Sequence, residues 1–300
     1  YKMVDKKISK KINVLVFGGS GFLGSHVAER LAHRGYNVTI ADLKKPLFKK
    51  IKLKFKKIDI KNKKAINKLV KNNEIIYNFA AIADIQESYD NPLKTFETNI
   101  MGSAYILEAC VLAKVKRYIL ASSIYADSSQ GGFYRVSKQS SEIMTAEYGK
   151  VFNLNYSILR YGSIYGPRSN LNNGLLKIIY DCIIKKKLVY RGTKKAVRSY
   201  IHVIDAANAS VDILNKSFNQ KVVLLKGKKT ISIKSLLNEI KKITGSKSKL
   251  LFLNKTQKGH YDKKPKPFKK FKTINYFRKN NVNFNESLKD LIEIVKSNKY

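Results

Sequence analysis

Asn13-Val14-Leu15-Val16-Phe17 runs without a break into Gly18-Gly19-Ser20-Gly21-Phe22-Leu23-Gly24, and this junction decides the fold. The apolar run Lys11–Phe17 suits a strand buried on both faces. Phe22–Arg34 repeats apolar residues at helical spacing, with Val27, Ala28 and Leu31 inward, and Gly35 closes it. Gly18 allows the tight turn, Gly21 lets a pyrophosphate approach the backbone, and Gly24 lets helix and strand pack closely. The helix N-terminus then faces the phosphates. Glycines alone also fit a tight turn with no ligand; the strand–loop–helix setting favours a nucleotide.

The same alternation continues outward. Asn37–Ala41 reads as a second strand ending at Asp42, and Leu53–Ile58 as a weak third, followed by Asp59 and a helix near Asn62–Lys71. Glu74–Phe79 is the fourth strand. A long helix from Pro92 to about Ala113 follows, capped by Asp90 or Asn91. Lys116–Ala121 delivers Ser122 and Ser123 at its end, Phe133–Tyr148 is helical, and Asn155–Arg160 is a sixth strand. Strands alternating with helices predict an α/β, Rossmann-type, doubly wound parallel sheet, whose site lies beyond the carboxyl ends of the strands. Residues 1–167 form the expected dinucleotide-binding domain. Beyond it the alternation loosens into a smaller α/β substrate lobe over 168–300, discontinuous, with elements returning to the first domain. Its helices are expected at Leu175–Lys185, Ile233–Ile243 and Glu286–Ser297, and its short strands near Leu188–Tyr190 and Tyr200–Val203. Lys255–Lys279, with Pro265 and Pro267, reads as an extended, mobile connection.

Composition narrows the function class. With 44% apolar residues in 300, the chain can bury a sizeable core. It has no uncharged apolar run of about 18 residues, which argues against a membrane span. The run Ile12–Phe17 leads into glycines rather than a cleavage site, so no signal peptide is read. Two cysteines, Cys110 and Cys182, without partners at ligand spacing, predict neither a disulfide frame nor a metal site and fit a reducing cytoplasm. His26, His33, His202 and His260 are too scattered for a metal site or a hydrolase triad. The net charge of +39 would attract polyanions, yet the lysines are spread along the chain and travel with isoleucine and asparagine. That pattern favours compositional drift over a nucleic-acid partner.

Chemistry concentrates at Tyr134-Arg135-Val136-Ser137-Lys138. A phenol and an ammonium four residues apart share one helix face, and the lysine charge favours the phenolate. Ser123 at a strand end completes a grip on a substrate hydroxyl or carbonyl, although a one-residue shift would substitute Ser122. Tyr125 is a further lining candidate. Asp42 stands where a carboxylate holds both ribose hydroxyls and repels a 2′-phosphate, which favours NAD over NADP. Lys44 and Lys45 soften that preference. Asp59 suits either the adenine amine or the cap of the next helix.

These motifs together resemble the extended short-chain dehydrogenase/reductase family, in its NAD-dependent nucleotide-sugar epimerase/dehydratase branch, over most of the chain. Gly18–Gly24 is similar to the family's G-x-x-G-x-x-G, and Asn78-Phe79-Ala80-Ala81 to H-x-A-A with Asn for His. Asn99 resembles an asparagine near the cofactor, and Ser122-Ser123, Tyr134 and Lys138 the Ser–Tyr–Lys centre. Arg160–Arg168 is similar to L-R-Y-x-N-x-Y-G-P-R, and Val197–Asp205 to R-D-Y-I-H-V-x-D. The resemblance implies that NAD stays bound while Tyr134 takes a proton from a sugar hydroxyl, hydride passes to the nicotinamide, and the keto-sugar turns over before hydride returns. It implies that Lys138 holds the nicotinamide ribose and that Phe22, Leu23, Ile60, Ala80 and Ala81 line the dinucleotide. Arg198 would bind the diphosphate of a nucleotide sugar, with Asn173 and Ser163 at the same ligand. A homodimer through the helices around Pro92–Ala113 and Phe133–Tyr148 is also implied.

The sequence departs from the pattern at Ser163, usually Asn, and Ser199, usually Asp. The loop from Ser123 to Tyr134 is short, and Ile124-Tyr125-Ala126-Asp127 lacks the Asp-Glu pair of sugar 4,6-dehydratases. Expelling water needs such an acid–base pair, so epimerase ranks above dehydratase, decarboxylase or reductase.

Overall fold

The computed structural model describes residues 11–47, 53–228, 230–254 and 271–298. Strand β1 (Asn13–Phe17) is the hub: Val14, Leu15, Val16 and Phe17 are wholly buried. Val14 and Val16 enter the core on one face, Leu15 and Phe17 the core on the other. Burying a side chain of this size contributes about 1.5–3 kcal/mol, which is why the run reads as continuous rather than alternating.

Helix α1 (Phe22–His33) leads to β2 (Asn37–Asp42) and β3 (Lys54–Lys57), and α2 (Lys63–Val70) to β4 (Ile75–Asn78). Then come α3 (Ile85–Asp90), α4 (Pro92–Phe96), a π-helical turn (Glu97–Met101) and α5 (Gly102–Leu112). Strand β5 (Arg117–Ser123), a 3-10 turn (Ile124–Asp127), α6 (Gly132–Phe152) and β6 (Tyr156–Tyr161) complete the first half. The remainder comprises β7 (Ser163–Tyr165), α7 (Gly174–Ile183), β8 (Leu188–Tyr190), β9 (Val197–Arg198), β10 (Tyr200–His202), α8 (Val203–Asp212), β11 (Lys221–Leu225), β12 (Ile231–Ser232), α9 (Ile233–Thr244), β13 (Leu250–Phe252), β14 (Thr273–Asn275) and α10 (Phe284–Lys296).

Eight strands form one sheet in the order β3-β2-β1-β4-β5-β6-β11-β14, and every pairing in it is parallel. Strand order reverses between β1 and β4, and a crevice for a ligand opens at such a switch point. Helices α1 and α8 cover one face through Val27, Leu31, Ala206 and Ala209; α2 and α5 cover the other through Ile66, Val70, Ile106 and Leu107. A third core joins α7, α9 and α10 around Leu176, Leu237 and Leu291.

Several expectations change. The long helix from Pro92 is interrupted by the π-helical turn, and the separate helix α3 precedes it, so Asp90 ends a helix instead of capping one. Asn91 takes the N-cap position of α4 without a side-chain bond. Asp59 caps nothing: Asn62 caps α2 by accepting from Ala65 N. Part of the expected connection over Lys255–Lys279 is the edge strand β14, because Thr273–Asn275 pairs with Val222–Leu224. Residues 255–270 of that connection, and His260, lie outside the described residues. Among the described residues no helix is long and apolar enough to cross a membrane.

Candidate active site

The glycine turn is shaped by close backbone contacts. Gly18 has φ of 72°, and a Cβ there would lie 2.5 Å from Ala80 N. A Cβ on Gly24 would land on the Gly18 carbonyl oxygen. Gly21 occupies the N-cap of α1 with no side-chain cap, and the first turn has no acidic residue. The N–H groups there are thus left for an anion. Asp42 stands at the end of the adjacent strand, where its Oδ2 accepts from Ser20 N at 3.0 Å and its Oδ1 from Lys44 N at 3.3 Å. These features fit a dinucleotide: phosphates at the helix end, a ribose beside Asp42. Phe22 and Leu23 open α1 at this turn, while Ala80 and Ala81 follow β4 beside it.

Asp59 is one residue beyond Ile58, whose N–H donates to Asp42 O at 2.9 Å, and its Oδ1 accepts from Lys61 N at 2.9 Å. The Ile60 side chain points into the core and meets Gly102, so only its backbone faces outward. Asn99 behaves differently from its expected cofactor contact. Its Oδ1 accepts from Ile82 N at 2.8 Å, and its amide donates to Ile82 O at 3.0 Å and Ser137 Oγ at 2.9 Å. Both amide hydrogens are used, so Asn99 braces the loop after β4 against α6. The π-helical turn carries this residue inward, and such turns recur at functional sites.

Ser123, Tyr134 and Lys138 converge beyond the carboxyl end of β5. The Tyr134 hydroxyl is hydrogen-bonded to Ser123, and Ser123 Oγ also accepts from Tyr125 N at 3.2 Å. The Tyr125 ring packs edge-on against Tyr134 at 6.4 Å between centroids. Ser122 is excluded from this group because its hydroxyl donates to Glu142 at 2.5 Å. Lys138 Nζ donates to Ala121 O at 2.9 Å and stands 5.8 Å from the Tyr134 ring centre. The ammonium thus addresses a carbonyl while standing over the phenol ring, where its charge can act on Tyr134 without a direct hydrogen bond. Burial pushes the Tyr134 phenol up to about 12, partly offset by Ser123. Burial likewise draws Lys138 down to about 8, opposed by Glu142. Both ionised forms lack solvation in the closed site.

The residues expected to hold substrate lie later in the chain, on β7, before α7 and on β9. Arg198 Nη1 donates to Val197 O at 2.8 Å and Nη2 to Tyr190 Oη at 3.2 Å. Ser163 lies on β7, which pairs in parallel with β10, and Ser199 Oγ contacts Thr230 Oγ1 at 3.1 Å. The Asn173 amide is engaged structurally, capping α7 through Leu176 N and donating to Ile164 O at 2.8 Å. His26 and His202 are neighbours despite their distance in sequence; burial depresses both, and each charge would oppose the other on His202. Cys110 and Cys182 are free and buried.

The reading from spacing missed Glu142, Arg160 and Asp127, a buried charged group behind the centre. Glu142 follows Lys138 by four residues on α6, and that interval was the available signal.

Residues 14–224 match the model of the NAD dependent epimerase/dehydratase family. The chain belongs to this family. Its cofactor is NAD, in accord with the glycine turn and Asp42. The putative UDP-glucose 4-epimerase of Methanocaldococcus jannaschii is 26% identical, covering 95% of this chain and 99% of that protein. A UDP-N-acetyl-alpha-D-glucosaminuronate decarboxylase of Bacillus cytotoxicus is 27% identical over 80% of this chain and 83% of its own. The fold matches UDP-glucose 4-epimerase of Thermotoga maritima, crystallised with UDP-glucose. Its TM-score is 0.83 at 24% identity, covering 96% of this chain and all of that one. Members of this family thus share a frame across different reactions.

Proposed function

We propose that the protein epimerises a nucleotide-diphosphate sugar, inverting one carbinol carbon, C4 of a UDP-hexose. The observation that carries this reading is the meeting of Ser123, Tyr134 and Lys138 at the end of β5, beside the glycine turn. When bound, NAD would supply a reversible hydride acceptor. Tyr134 takes the proton of the sugar hydroxyl and returns it after the ring has turned, while Ser123 holds the oxygen in line. Lys138 holds the nicotinamide ribose and lends its charge to the developing phenolate. The diphosphate lies on Arg198, so the sugar can swing while its handle stays fixed. In this reading residues 1–167 serve the cofactor and 168–300 the sugar nucleotide.

The relatives' names support the substrate class. Asp127, the acid nearest Ser123 in sequence, faces Arg160 at 3.3 Å and is no free partner for expelling water. We also propose a homodimer: Leu93, Met101 and Leu112 on one helical run, with Ile143, Val151 and Phe152 on α6, are exposed apolar residues that a second copy would cover.

The deciding experiment incubates the protein with UDP-glucose, UDP-galactose and their N-acetyl and uronic acid forms, and follows products by NMR. Inversion without loss of water is expected. A stable 4-keto-6-deoxy product would instead mark a dehydratase, and loss of carbon dioxide a decarboxylase. RNA binding with steep salt dependence and no bound NAD would replace the enzyme reading altogether. Tyr134→Phe is expected to lower turnover by about a thousandfold while NAD stays bound. Undiminished turnover would remove Tyr134 from the mechanism.

A further inference from the structure

Glu142 lies one helical turn beyond Lys138 and two beyond Tyr134 on the buried face of α6. It is 1% exposed, and both its oxygens are occupied. Oε1 accepts from Ser122 Oγ at 2.5 Å and from Arg160 Nε at 2.9 Å, and Oε2 accepts from Arg160 Nη2 at 2.7 Å. Arg160, 2% exposed, also donates through Nη1 to Thr273 Oγ1 at 3.1 Å and lies 3.3 Å from Asp127 Oδ1. This one group therefore ties together β5, β6, β14, α6 and the 3-10 turn that follows Ser123.

Desolvation offsets most of the attraction in a buried ion pair, and apolar residues of equal volume would hold the fold as well. What the pair supplies instead is position and sign. Ser122 is fixed by Glu142, so the next residue, Ser123, is presented to Tyr134 in a set register. We propose that Glu142 is a positioning residue of the redox centre, acting through Ser122 and Arg160 on the strand end that carries Ser123, and through its charge on Lys138. The proposal rests on the roles given above to Ser123, Tyr134 and Lys138.

The surroundings of Lys138 agree. Tyr134 and Glu142 flank it on its own helix, and β5 offers only the neutral Ala121 carbonyl and Ser122. Arg160 of β6 and Asp127 of the 3-10 turn stand behind Glu142. On the helices packed against α6, Glu87 pairs with Lys94 and Glu108 with Lys63, while Glu97 of the π-helical turn is exposed. Burial draws Lys138 down to about 8 even with Glu142, the charge that resists, in place. Without Glu142, more of the lysine would be neutral in the pH range where the phenolate needs it.

Glu142→Gln keeps the shape and a carbonyl for Ser122 but removes the charge. Nitrogen NMR of Lys138 in the full chain without added cofactor is expected to show it titrating below its wild-type value. In the NAD-loaded enzyme, turnover should fall about tenfold near pH 8.5 but about threefold or less near pH 6.5, with NAD affinity within about twofold. A merely structural role would give the same deficit at both pH values, and that result, or an unmoved Lys138 titration, overturns the proposal. Glu142→Gln leaves the buried Arg160 cation balanced by Asp127 without Glu142, which can weaken the fold of the single variant, so Glu142→Gln/Arg160→Met is the second arm. It removes the buried cation together with the buried anion, leaving Asp127, 29% exposed, to be met by water, and must reproduce the lowered titration; a folded pair with wild-type titration overturns the proposal equally. Should the wild type turn over no nucleotide sugar, the functional reading fails, while the Lys138 titration still decides whether Glu142 acts on that lysine.

Discussion

The two sides of the cleft are built by opposite means. On the cofactor side the working surface is backbone, made accessible by missing side chains: Gly18 against Ala80, Gly24 against Gly18. On the side proposed for the sugar nucleotide the candidates are long side chains, with Arg198 reaching across to Tyr190 and Asn173 tied to the turn of α7. A site made of backbone leaves a fixed spacing in the chain, because each glycine answers a local steric demand. A site made of side chains leaves only residue types, whose partners are chosen by tertiary packing.

Substitutions can test this contrast, starting where the effect is greatest. Gly24→Ala should abolish NAD binding in calorimetry, since the added methyl meets the Gly18 carbonyl and forces the turn open; retained binding would mean that the turn yields. Arg198→Met should raise KM for the sugar nucleotide by about a hundredfold and leave NAD affinity unchanged. Equal losses of both would show that the two sides are not separable. Asp42→Asn should narrow the preference for NAD over NADP by about tenfold, read from the two dissociation constants. The effect is smaller because Ser20 N can still be accepted by the amide oxygen.

The last prediction concerns the seam. His202 caps α8 and His26 lies on α1. Burial first, then His26, hold His202 down to about 4 from 6.5, with Asp290 opposing. Below about pH 6.5 the unfolded chain takes up a proton that the folded one refuses. Stability is therefore full above that pH and is lost as pH falls toward about 4, by about 2 kcal/mol between pH 7 and 5. Thermal unfolding should show this slope in the wild type and a flatter one in His202→Asn, which keeps a capping group for α8. An unchanged slope would place the acid sensitivity elsewhere.

Legibility in the sequence follows the same division. The hub strand, the glycine turn, Asp42 and the Tyr134–Lys138 pair were readable because strand, turn and helix periods are local. The π-helical turn at Asn99 was not, since one extra residue in a helical turn leaves the apolar pattern almost unchanged. The cap of α2 fell to Asn62 rather than Asp59, and the capping of α7 by Asn173 went unread, for a related reason: a polar residue before a helix looks alike whether it caps, braces or binds. Ser122 and Ser123 could be told apart only once Glu142, brought in by α6, had claimed one of them.

Strand β3 gives the protein's charge a further meaning. It is the outermost member of the sheet, and Lys54, Lys56 and Lys57 on it are exposed. Another chain adding there would bring like charges within about 5 Å of each other, a spacing that strand pairing fixes. The lysines therefore guard a rim otherwise open to fibril-like stacking, and concentrated salt, by screening them, should bring on scattering from stacked chains before any loss of helix.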